Sequence, residues 1–388
     1  MRFKSYTFTL VAAMSLLVHA QPEVTFSGFL DADVVADFDG NFYANQELDV
    51  GMSLAFAENV SANLYVTMLL GRVPAGTDPV RGDRWVSVLF DGFDITFDTK
   101  IGTFSVGDLV YQYGGFNYYY YKRLSMITPE SFTRGIQYSL GTEMFTQMLL
   151  VGVTDSPEEL IPVDVGGVII DTVETDVNEL DLFGASGLTL ADGQSVEAYY
   201  GVRFDVQEGF SEAGAVLTGL EYNGLFGDAL SLKADVGYQN LPNGDERANV
   251  VTILVEPVLT LDKFSLAASF YTLVDPDSIN EPGSDDALFG LDDELFFYIE
   301  PGYAFTEMIA AGLPLEYHEA AIYEADDITG EEYEDASIWV VPTLYVYPAD
   351  GVQWWLWGGA TIPVSDTDID GEDTEVSFSV GSEIIVEF

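Results

Sequence analysis

Short segments in which apolar and polar residues alternate recur along the chain. In residues 376–388 (VSFSVGSEIIVEF), the even-numbered positions are apolar except for one serine, and most odd-numbered positions are polar or glycine. Residues 24–38 and 47–56 repeat this pattern. A period of two places one kind of side chain on each face of a β-strand. After residue 20, no apolar stretch reaches the roughly 18 residues that a spanning helix needs, so a membrane form of this chain must be a closed barrel.

The alternating segments predict eighteen strands. They lie at residues 23–38, 45–57, 60–71, 84–97, 100–110, 132–140, 143–154, 180–190, 195–207, 213–222, 229–239, 247–260, 264–274, 294–304, 308–317, 337–347, 352–361 and 374–388. The pattern is weakest at residues 180–190, and their loss would lead to sixteen strands because such barrels have even strand numbers. Within residues 86–97, Asp91 and Gly92 break the alternation and indicate a β-bulge.

The connections between these segments alternate in length. Short turns such as 141–142 and 261–263 alternate with mostly longer, acidic stretches such as 275–293. Short turns on one rim and long loops on the other are typical of bacterial outer-membrane barrels. The sequence therefore predicts an all-β fold, a transmembrane antiparallel β-barrel of 16 to 18 strands with both termini on the short-turn rim.

The first twenty residues have the composition of a secretory signal. Arg2 and Lys4 precede an apolar run, and small residues stand at the positions that a cleavage site before Gln21 requires. We therefore expect residues 1–20 to be a signal peptide and residues 21–388 to form a single barrel delivered across a membrane.

Charge and composition exclude several classes of function. Residues 21–388 contain 65 acidic and 11 basic residues, a net charge of −54, which excludes nucleic acid as a partner. The chain has no cysteine, so disulfides, thiol nucleophiles and cysteine metal sites are excluded. His318 is the one histidine after residue 20, and no serine lies near it in the sequence. A lone histidine is typical of a strand end or loop, so we predict that the protein is not an enzyme.

Acidic residues on the polar faces of the predicted strands are candidates for the lining of a pore. They are Asp31, Asp33, Asp37, Glu47, Asp49, Glu197, Asp205, Glu300 and Glu316. Rings of carboxylates in a pore favour cations. Aromatic residues flank the short turn at 348–351, and this position predicts an interfacial girdle formed by Tyr345, Tyr347, Trp354, Trp355 and Trp357.

Three stretches of the sequence resemble the outer-membrane porins of Gram-negative bacteria. Residues 376–388 end in an aromatic residue, Phe388, as the terminal strand of these proteins does; residues 100–109 (KIGTFSVGDL) resemble their glycine-rich strand, and residues 24–33 (VTFSGFLDAD) resemble their opening strand. The resemblance implies a location in the outer membrane, contact with its lipids, and recognition of Phe388 by the barrel assembly machinery. It also implies passive diffusion of small hydrophilic solutes, and the acidic faces add a preference for cations. A monomer and a homotrimer are both compatible with the sequence.

Residues 111–131 form the third long connection, which in the porins that this chain resembles narrows the channel. The segment is rich in aromatic residues and poor in acidic ones. The predicted constriction consists of Tyr118, Tyr119, Tyr120, Tyr121, Lys122, Arg123 and Arg134. Basic residues opposite carboxylates would create a transverse field that sorts solutes. The alternative is that the tyrosines belong to an aromatic girdle or a subunit contact.

Asp366, Asp368 and Asp370, followed by Gly371, have the D-x-D-x-D-G spacing of calcium loops. The glutamate that closes such a loop is replaced by Ser377, so the alternative is an acidic loop that attracts cations diffusely. No other cofactor is expected. A second hypothesis for the whole protein is a non-channel outer-membrane barrel that acts as a surface adhesin or a structural protein.

Overall fold

The structure is a computed structural model in which most of the described residues belong to β-strands. It describes residues 23–38, 42–72, 85–110, 132–155, 159–164, 169–175, 178–205, 214–243, 246–274, 294–322, 333–364 and 375–388. The strands are β1 (Glu23–Asp37), β2 (Phe42–Ala57), β3 (Val60–Arg72), β4 (Trp85–Thr99), β5 (Gly102–Val110), β6 (Phe132–Gly141), β7 (Phe145–Asp155), β8 (Glu159–Asp164), β9 (Ile169–Thr175), β10 (Asn178–Ala191), β11 (Gln194–Asp205), β12 (Ala215–Phe226), β13 (Leu230–Asn243), β14 (Glu246–Leu261), β15 (Phe264–Val274), β16 (Glu294–Thr306), β17 (Ile309–Gly312), β18 (Leu315–Ile322), β19 (Tyr333–Val340), β20 (Thr343–Ala349), β21 (Val352–Pro363) and β22 (Ser377–Glu387). No helix among the described residues is both long enough and apolar enough to cross a membrane.

The strands form one closed antiparallel barrel. Successive wall strands pair with each other, with β17 and β18 both pairing with β16, and β19 and β20 both pairing with β21. Strand β22 returns to pair with β1, so the sheet has no free edge. The hairpin β8–β9 is separate from the wall, because β7 pairs directly with β10. When β17 with β18 and β19 with β20 are each counted as one interrupted strand, the wall has 18 strands. The predicted barrel is confirmed, and the weak segment at 180–190 is the wall strand β10.

Prolines cause both interruptions. Pro314 separates β17 from β18, and Pro342 separates β19 from β20. Proline has no N–H and cannot donate to the ladder, so in sheets it is confined to edges and irregular places. Backbone hydrogen bonds still cross these points: the Leu313 N–H donates to the Pro301 carbonyl at 3.0 Å, and the Val341 N–H donates to the Pro314 carbonyl at 2.9 Å. The wall is therefore continuous but locally irregular at Pro314 and Pro342.

Both ends of the described chain lie on the rim that carries the short turns. Glu23 in β1 pairs with Ala55, close to the turn between β2 and β3. At the other end, Phe388 and Gly28 exchange two backbone hydrogen bonds, each 3.0 Å long, in which each N–H donates to the other residue's carbonyl. The predicted placement of both termini on the short-turn rim is confirmed.

The break in alternation at Asp91 and Gly92 is a β-bulge. The residues on either side of Asp91 pair with consecutive residues of β3, so Asp91 has no partner there. An extra residue of this kind bends a strand and disrupts its ladder. Next to it, the Phe93 N–H donates to the Asp108 carboxylate at 3.1 Å. The predicted bulge is confirmed.

The two faces of the wall differ in chemistry. Successive side chains of a strand point alternately inward and outward in a barrel. One face carries large apolar side chains that are well exposed, such as Phe26, Phe90 and Ile136 at 55 to 63%. The opposite face carries polar and acidic side chains at the alternate positions, such as Asp31 and Asp33 in β1. An apolar outer band around a polar interior is the arrangement of a membrane barrel.

Part of the inner face is closely packed. Strands between β5 and β15 contribute a cluster of side chains that are at most 6% exposed: Leu109, Leu150, Phe183, Ala185, Tyr199, Ala215, Leu217, Val250, Leu254, Tyr271 and Leu273. The Tyr199 ring lies flat against the wall because its neighbour in β12 is Gly219, where a Cβ would stand 2.0 Å from the ring. We call this cluster the packed sector.

Candidate functional site

The interior of the barrel is the candidate functional site, and carboxylates dominate its charge. The predicted pore-lining residues whose side chains the structure describes lie on the inner face: Asp31, Asp33, Glu47, Asp49, Glu197, Glu300 and Glu316. Asp37 and Asp205 lie in β1 and β11. The structure adds further inner-face carboxylates that the sequence prediction did not name: Asp94, Asp181, Glu221, Asp235, Glu256 and Glu383.

Among the described side chains, the cations on the inner faces of the wall strands are Arg203 and Lys233, and both contact carboxylates. Lys263, in the turn between β14 and β15, borders the lumen at the short-turn rim and donates to the Phe305 carbonyl at 3.3 Å. The Arg203 guanidinium donates two hydrogen bonds to Asp181, at 2.8 and 2.9 Å, and both side chains are buried. The Lys233 ammonium lies 3.8 Å from Glu221 and 4.0 Å from Glu256. These contacts leave the described part of the lumen with an excess of negative charge.

Polar networks hold several of these carboxylates in place. In the packed sector, the Tyr199 hydroxyl donates to Asp235 at 3.0 Å. On the wall formed by β2 to β5, the Asn63 amide donates to both oxygens of Asp94, at 3.0 and 3.2 Å. These last two residues border a cavity of about 610 Å³. Because the partners fix the carboxylates, their charges have defined positions along the wall.

A second cavity, of about 860 Å³, lies against the inner face of β15 to β22 and combines aromatic rings with carboxylates. We call it the aromatic–acidic pocket. The residues that give it this character are Tyr298, Glu300, Trp339, Tyr345, Trp355, Trp357 and Glu383. Asp262 and Lys263, in the turn between β14 and β15, also line it. Sequence reasoning assigned three of them to a membrane girdle. That assignment is wrong for Tyr345, Trp355 and Trp357, because β20 and β21 present them to the interior. It is also wrong for Tyr347, which lies two residues from Tyr345 on the same face of β20 and lines the same pocket.

The strand phase explains the correction. Trp354 stands opposite Ile384 in β22 and shares the outer face with it, whereas Trp355 stands opposite Glu383. A membrane girdle requires outward-facing rings. The phase was readable in the sequence, since Gln353 is two residues from Trp355 and indicates the polar face.

Arg134 does not lie in a constriction. Arg134 lies two residues before Ile136 in β6, so the two side chains share a face of the strand, and Ile136 belongs to the exposed outer face. The Arg134 side chain is itself 72% exposed. Its guanidinium donates to Asp108 at 2.8 Å, and the same carboxylate caps the bulge in β4. The prediction that Arg134 narrows the pore is therefore wrong, because the strand phase turns its side chain to the outer wall. There it supports the bulge.

Other predicted residues lie outside the described residues or have been located without a test of their role. Tyr118, Tyr119, Tyr120, Tyr121, Lys122 and Arg123 lie outside the described residues, as do Asp366, Asp368 and Asp370 and the segment 1–20. Within the described residues, no group of three or more Asp, Glu or His side chains could hold a metal ion. Phe388 lies at the seam between β22 and β1 and is exposed. Its role as an assembly signal stays a prediction.

Comparisons with known proteins identify the architecture. No family model matches the chain, and no curated protein matches it in sequence. Solved structures do match: a BenF-like porin from Pseudomonas fluorescens Pf-5, with a TM-score of 0.58 and 10% identity, covers 94% of this chain and 98% of its own. The chain has the fold of outer-membrane porins. OccAB3 from Acinetobacter baumannii is similar over 94% of this chain and 99% of its own, with a TM-score of 0.55 and 12% identity.

A third similar structure is that of OpdK from Pseudomonas aeruginosa with vanillate, with a TM-score of 0.55 and 8% identity over 94% of this chain and 98% of that one. These neighbours are porins and not enzymes.

In this porin fold, His318 lies inside β18 and not at a strand end, since the strand continues to Ile322. It is buried on the inner face opposite Phe296 and Ser337.

Proposed function

We propose that the chain forms a water-filled channel in the outer membrane of a Gram-negative-type bacterium, through which small hydrophilic solutes and ions diffuse passively with a preference for cations. The observation that carries the proposal is the charge of the inner face. Its described cations, Arg203 and Lys233, both contact carboxylates, and many further carboxylates line the same wall. Fixed negative charge in a pore raises the local concentration of cations and lowers that of anions. The apolar outer face supports contact with membrane lipids.

The charge of the lumen also bears on the class of solute. OpdK was solved with vanillate, which is an aromatic carboxylate. An acidic lumen repels such an anion. We therefore infer that this channel accepts cations and small neutral polar molecules in preference to carboxylates.

A second candidate function is a non-channel barrel that acts as a surface adhesin or a structural protein. The packed sector favours it, because inner-face side chains such as Tyr199, Leu254 and Tyr271 are almost completely buried. A barrel filled with packed side chains would hold its surface loops without conducting ions. The homotrimer stays a prediction for either function.

Planar-bilayer recording separates the two functions. We expect the purified, folded protein to produce stepwise increases in conductance in potassium chloride, because water and ions can enter a lumen lined by charged groups. Folding is checked on the same sample by the heat-dependent shift in electrophoretic mobility that closed barrels show. Boiled protein is the control. A protein that is folded by this criterion but remains silent in the bilayer would contradict the channel and support the adhesin or structural barrel.

A further inference from the structure

The aromatic–acidic pocket departs from the chemistry expected of a barrel interior. In membrane barrels, large apolar and aromatic side chains face the lipid, and the interior is polar. Here Trp339, Trp355 and Trp357 all face the interior, although the chain has only five tryptophans. Large rings on the water side of a wall leave apolar surface exposed unless something covers it. The concentration of rings at one place in the lumen therefore points to a ligand.

Glu300 lies among the rings and is held in a fixed position. The Tyr298 hydroxyl donates to one of its oxygens and the Tyr345 hydroxyl donates to the other, each at 2.6 Å. The carboxylate lies directly over Gly312 in the next strand, where a Cβ would stand 2.1 Å from its Oε1 atom. Each oxygen keeps a further lone pair. Glu300 is thus a preorganised negative group between two aromatic residues.

The tryptophans are positioned by similar contacts. The Trp355 ring meets the Tyr345 ring edge to face, with their centroids 5.6 Å apart and an angle of 89° between the planes. The Trp357 indole lies flat over Gly381, where a Cβ would stand 2.2 Å from the ring. The Trp355 indole N–H is buried and has no hydrogen-bond partner in the described structure. The rings are therefore held in fixed positions along the wall of the pocket.

Two further carboxylates lie in the same rows of the wall. Glu316 stands between Tyr298 and Trp339 in cross-strand register. Glu383 stands directly opposite Trp355. A cation is attracted both by the negative face of an aromatic ring and by a nearby carboxylate. An anion is repelled by the carboxylates, and a neutral solute gains nothing from their charge.

We propose that the aromatic–acidic pocket is a binding site for organic cations, of the amine or quaternary ammonium class, on their way through the channel. The proposal rests on the proposed function, because it takes the lumen to be open to solutes. Aromatic rings cover the apolar groups of such a cation, and Glu300 and Glu383, which line the pocket, balance its charge. An inorganic cation uses the carboxylates alone, so the aromatic rings make the site selective for organic ones.

The test uses choline as the probe and its uncharged isostere 3,3-dimethylbutan-1-ol as the comparison. In single-channel recordings in potassium chloride, we expect choline to reduce and interrupt the potassium current at concentrations at which the isostere has no effect. Tryptophan fluorescence of the folded protein in detergent gives an independent titration with the same two compounds. This second readout does not require conduction.

Two substitutions at adjacent positions make a matched pair. Trp355→Leu removes a ring from the pocket, whereas Trp354→Leu removes the neighbouring ring from the outer face. We expect Trp355→Leu to weaken choline binding by about fivefold or more, the factor that follows from loss of a cation–π contact, and Trp354→Leu to leave it unchanged. Glu300→Gln, which keeps the size of the side chain, should weaken choline binding without a change for the isostere. This variant serves as the test if Trp355→Leu does not fold.

The outcomes separate the inference from the function on which it rests. Equal effects of choline and its isostere, or equal losses in the Trp354 and Trp355 variants, would overturn the organic-cation site. Block by maltose but not by choline would overturn it in favour of a sugar site. A cation-selective channel that choline neither blocks nor quenches would overturn the inference and leave the channel standing. A silent barrel whose fluorescence still titrates with choline would overturn the channel alone.

Discussion

Replacing Arg203 with methionine is expected to lower the free energy of unfolding by about 3 to 5 kcal/mol, the cost of leaving one member of a buried ion pair without its partner. Arg203 and Asp181 are joined by two hydrogen bonds, and their side chains are 7% and 0% exposed. Methionine keeps most of the side-chain volume, so the loss measures the uncompensated carboxylate and not an empty space. Reversible urea unfolding in phospholipid vesicles, followed by tryptophan fluorescence, gives the value.

Arg134 provides the matched control. Its ion pair with Asp108 has a distance of 2.8 Å, the same as the shorter Arg203 contact, but its side chain is 72% exposed. Arg134 is the third residue of β6, beside the long-loop rim where the outer wall meets water. Ion pairs exposed to water contribute about 0 to 1 kcal/mol, so Arg134→Met should have a small effect. The double variant Asp181→Leu/Arg203→Met should recover part of the loss, since neither charge of the pair remains. Equal losses for Arg203→Met and Arg134→Met would show that burial does not determine the strength of the pair.

The second large effect is expected in the lumen. Asp33 stands opposite Glu383 across the seam between β1 and β22, and Asp31 lies two residues before Asp33 on the same face of β1. Neutralising all three, as Asp31→Asn/Asp33→Asn/Glu383→Gln, should lower the ratio of potassium to chloride permeability by about threefold or more at low salt. A carboxylate 4 Å from an ion changes the energy of that ion by about 1 kcal/mol even in water. A permeating ion does not come this close to all three carboxylates at once, so the expected change in the ratio is smaller than three such contributions would give.

Salt concentration and a distant substitution test the cause. The effect of the triple variant should shrink in 1 M salt, where the screening length falls to about 3 Å. Asp228→Asn removes one carboxylate from a short turn, outside the wall, and should change the ratio much less. An unchanged ratio in the triple variant at low salt would mean that these carboxylates do not control the ions in the pore.

Much of the fold followed from the alternation of residues alone. The eighteen predicted segments correspond to the wall strands, and the bulge at Asp91 was visible as a break in phase. These features are local, because a period of two and short polar turns depend only on neighbouring residues. The two interrupting prolines, Pro314 and Pro342, lie inside the predicted strands 308–317 and 337–347. Because the alternation continues across both prolines, each segment was predicted as one strand, and β17 and β20 were not recognised as separate elements.

Register between strands was harder to obtain from the sequence. Counting outward from the turn at Asp192 would place Asp181 opposite Phe204, since Ala191 pairs with Gln194. The structure has a one-residue shift beside the turn, after which Asp181 stands opposite Arg203. A bulge next to a turn leaves no clear mark in an alternating pattern. The buried ion pair therefore could not be predicted, although both residues were visible in the sequence.

The inner aromatic residues were missed for a different reason. Trp355 and Trp357 were assigned from their position beside a turn and not from their phase in β21. Aromatic girdles are common at that position, and the rings were therefore assigned to the outer face. Gln353, two residues before Trp355, indicated instead that this face of β21 is the polar inner one. The packed sector and the aromatic–acidic pocket depend on contacts between strands distant in the chain. Such contacts require the closed barrel before they can be identified.

The preference of the channel for cations is tested most directly by the zero-current potential of the unmodified protein in a bilayer that separates 0.1 M from about 1 M potassium chloride, a range over which surface charges pass from weakly to strongly screened. The carboxylate-lined lumen predicts a potential with the sign given by potassium moving toward the dilute side. A potential of the opposite sign would show that chloride carries most of the current, and a potential of zero would show no selectivity. Either result would contradict a lumen governed by the inner-face carboxylates.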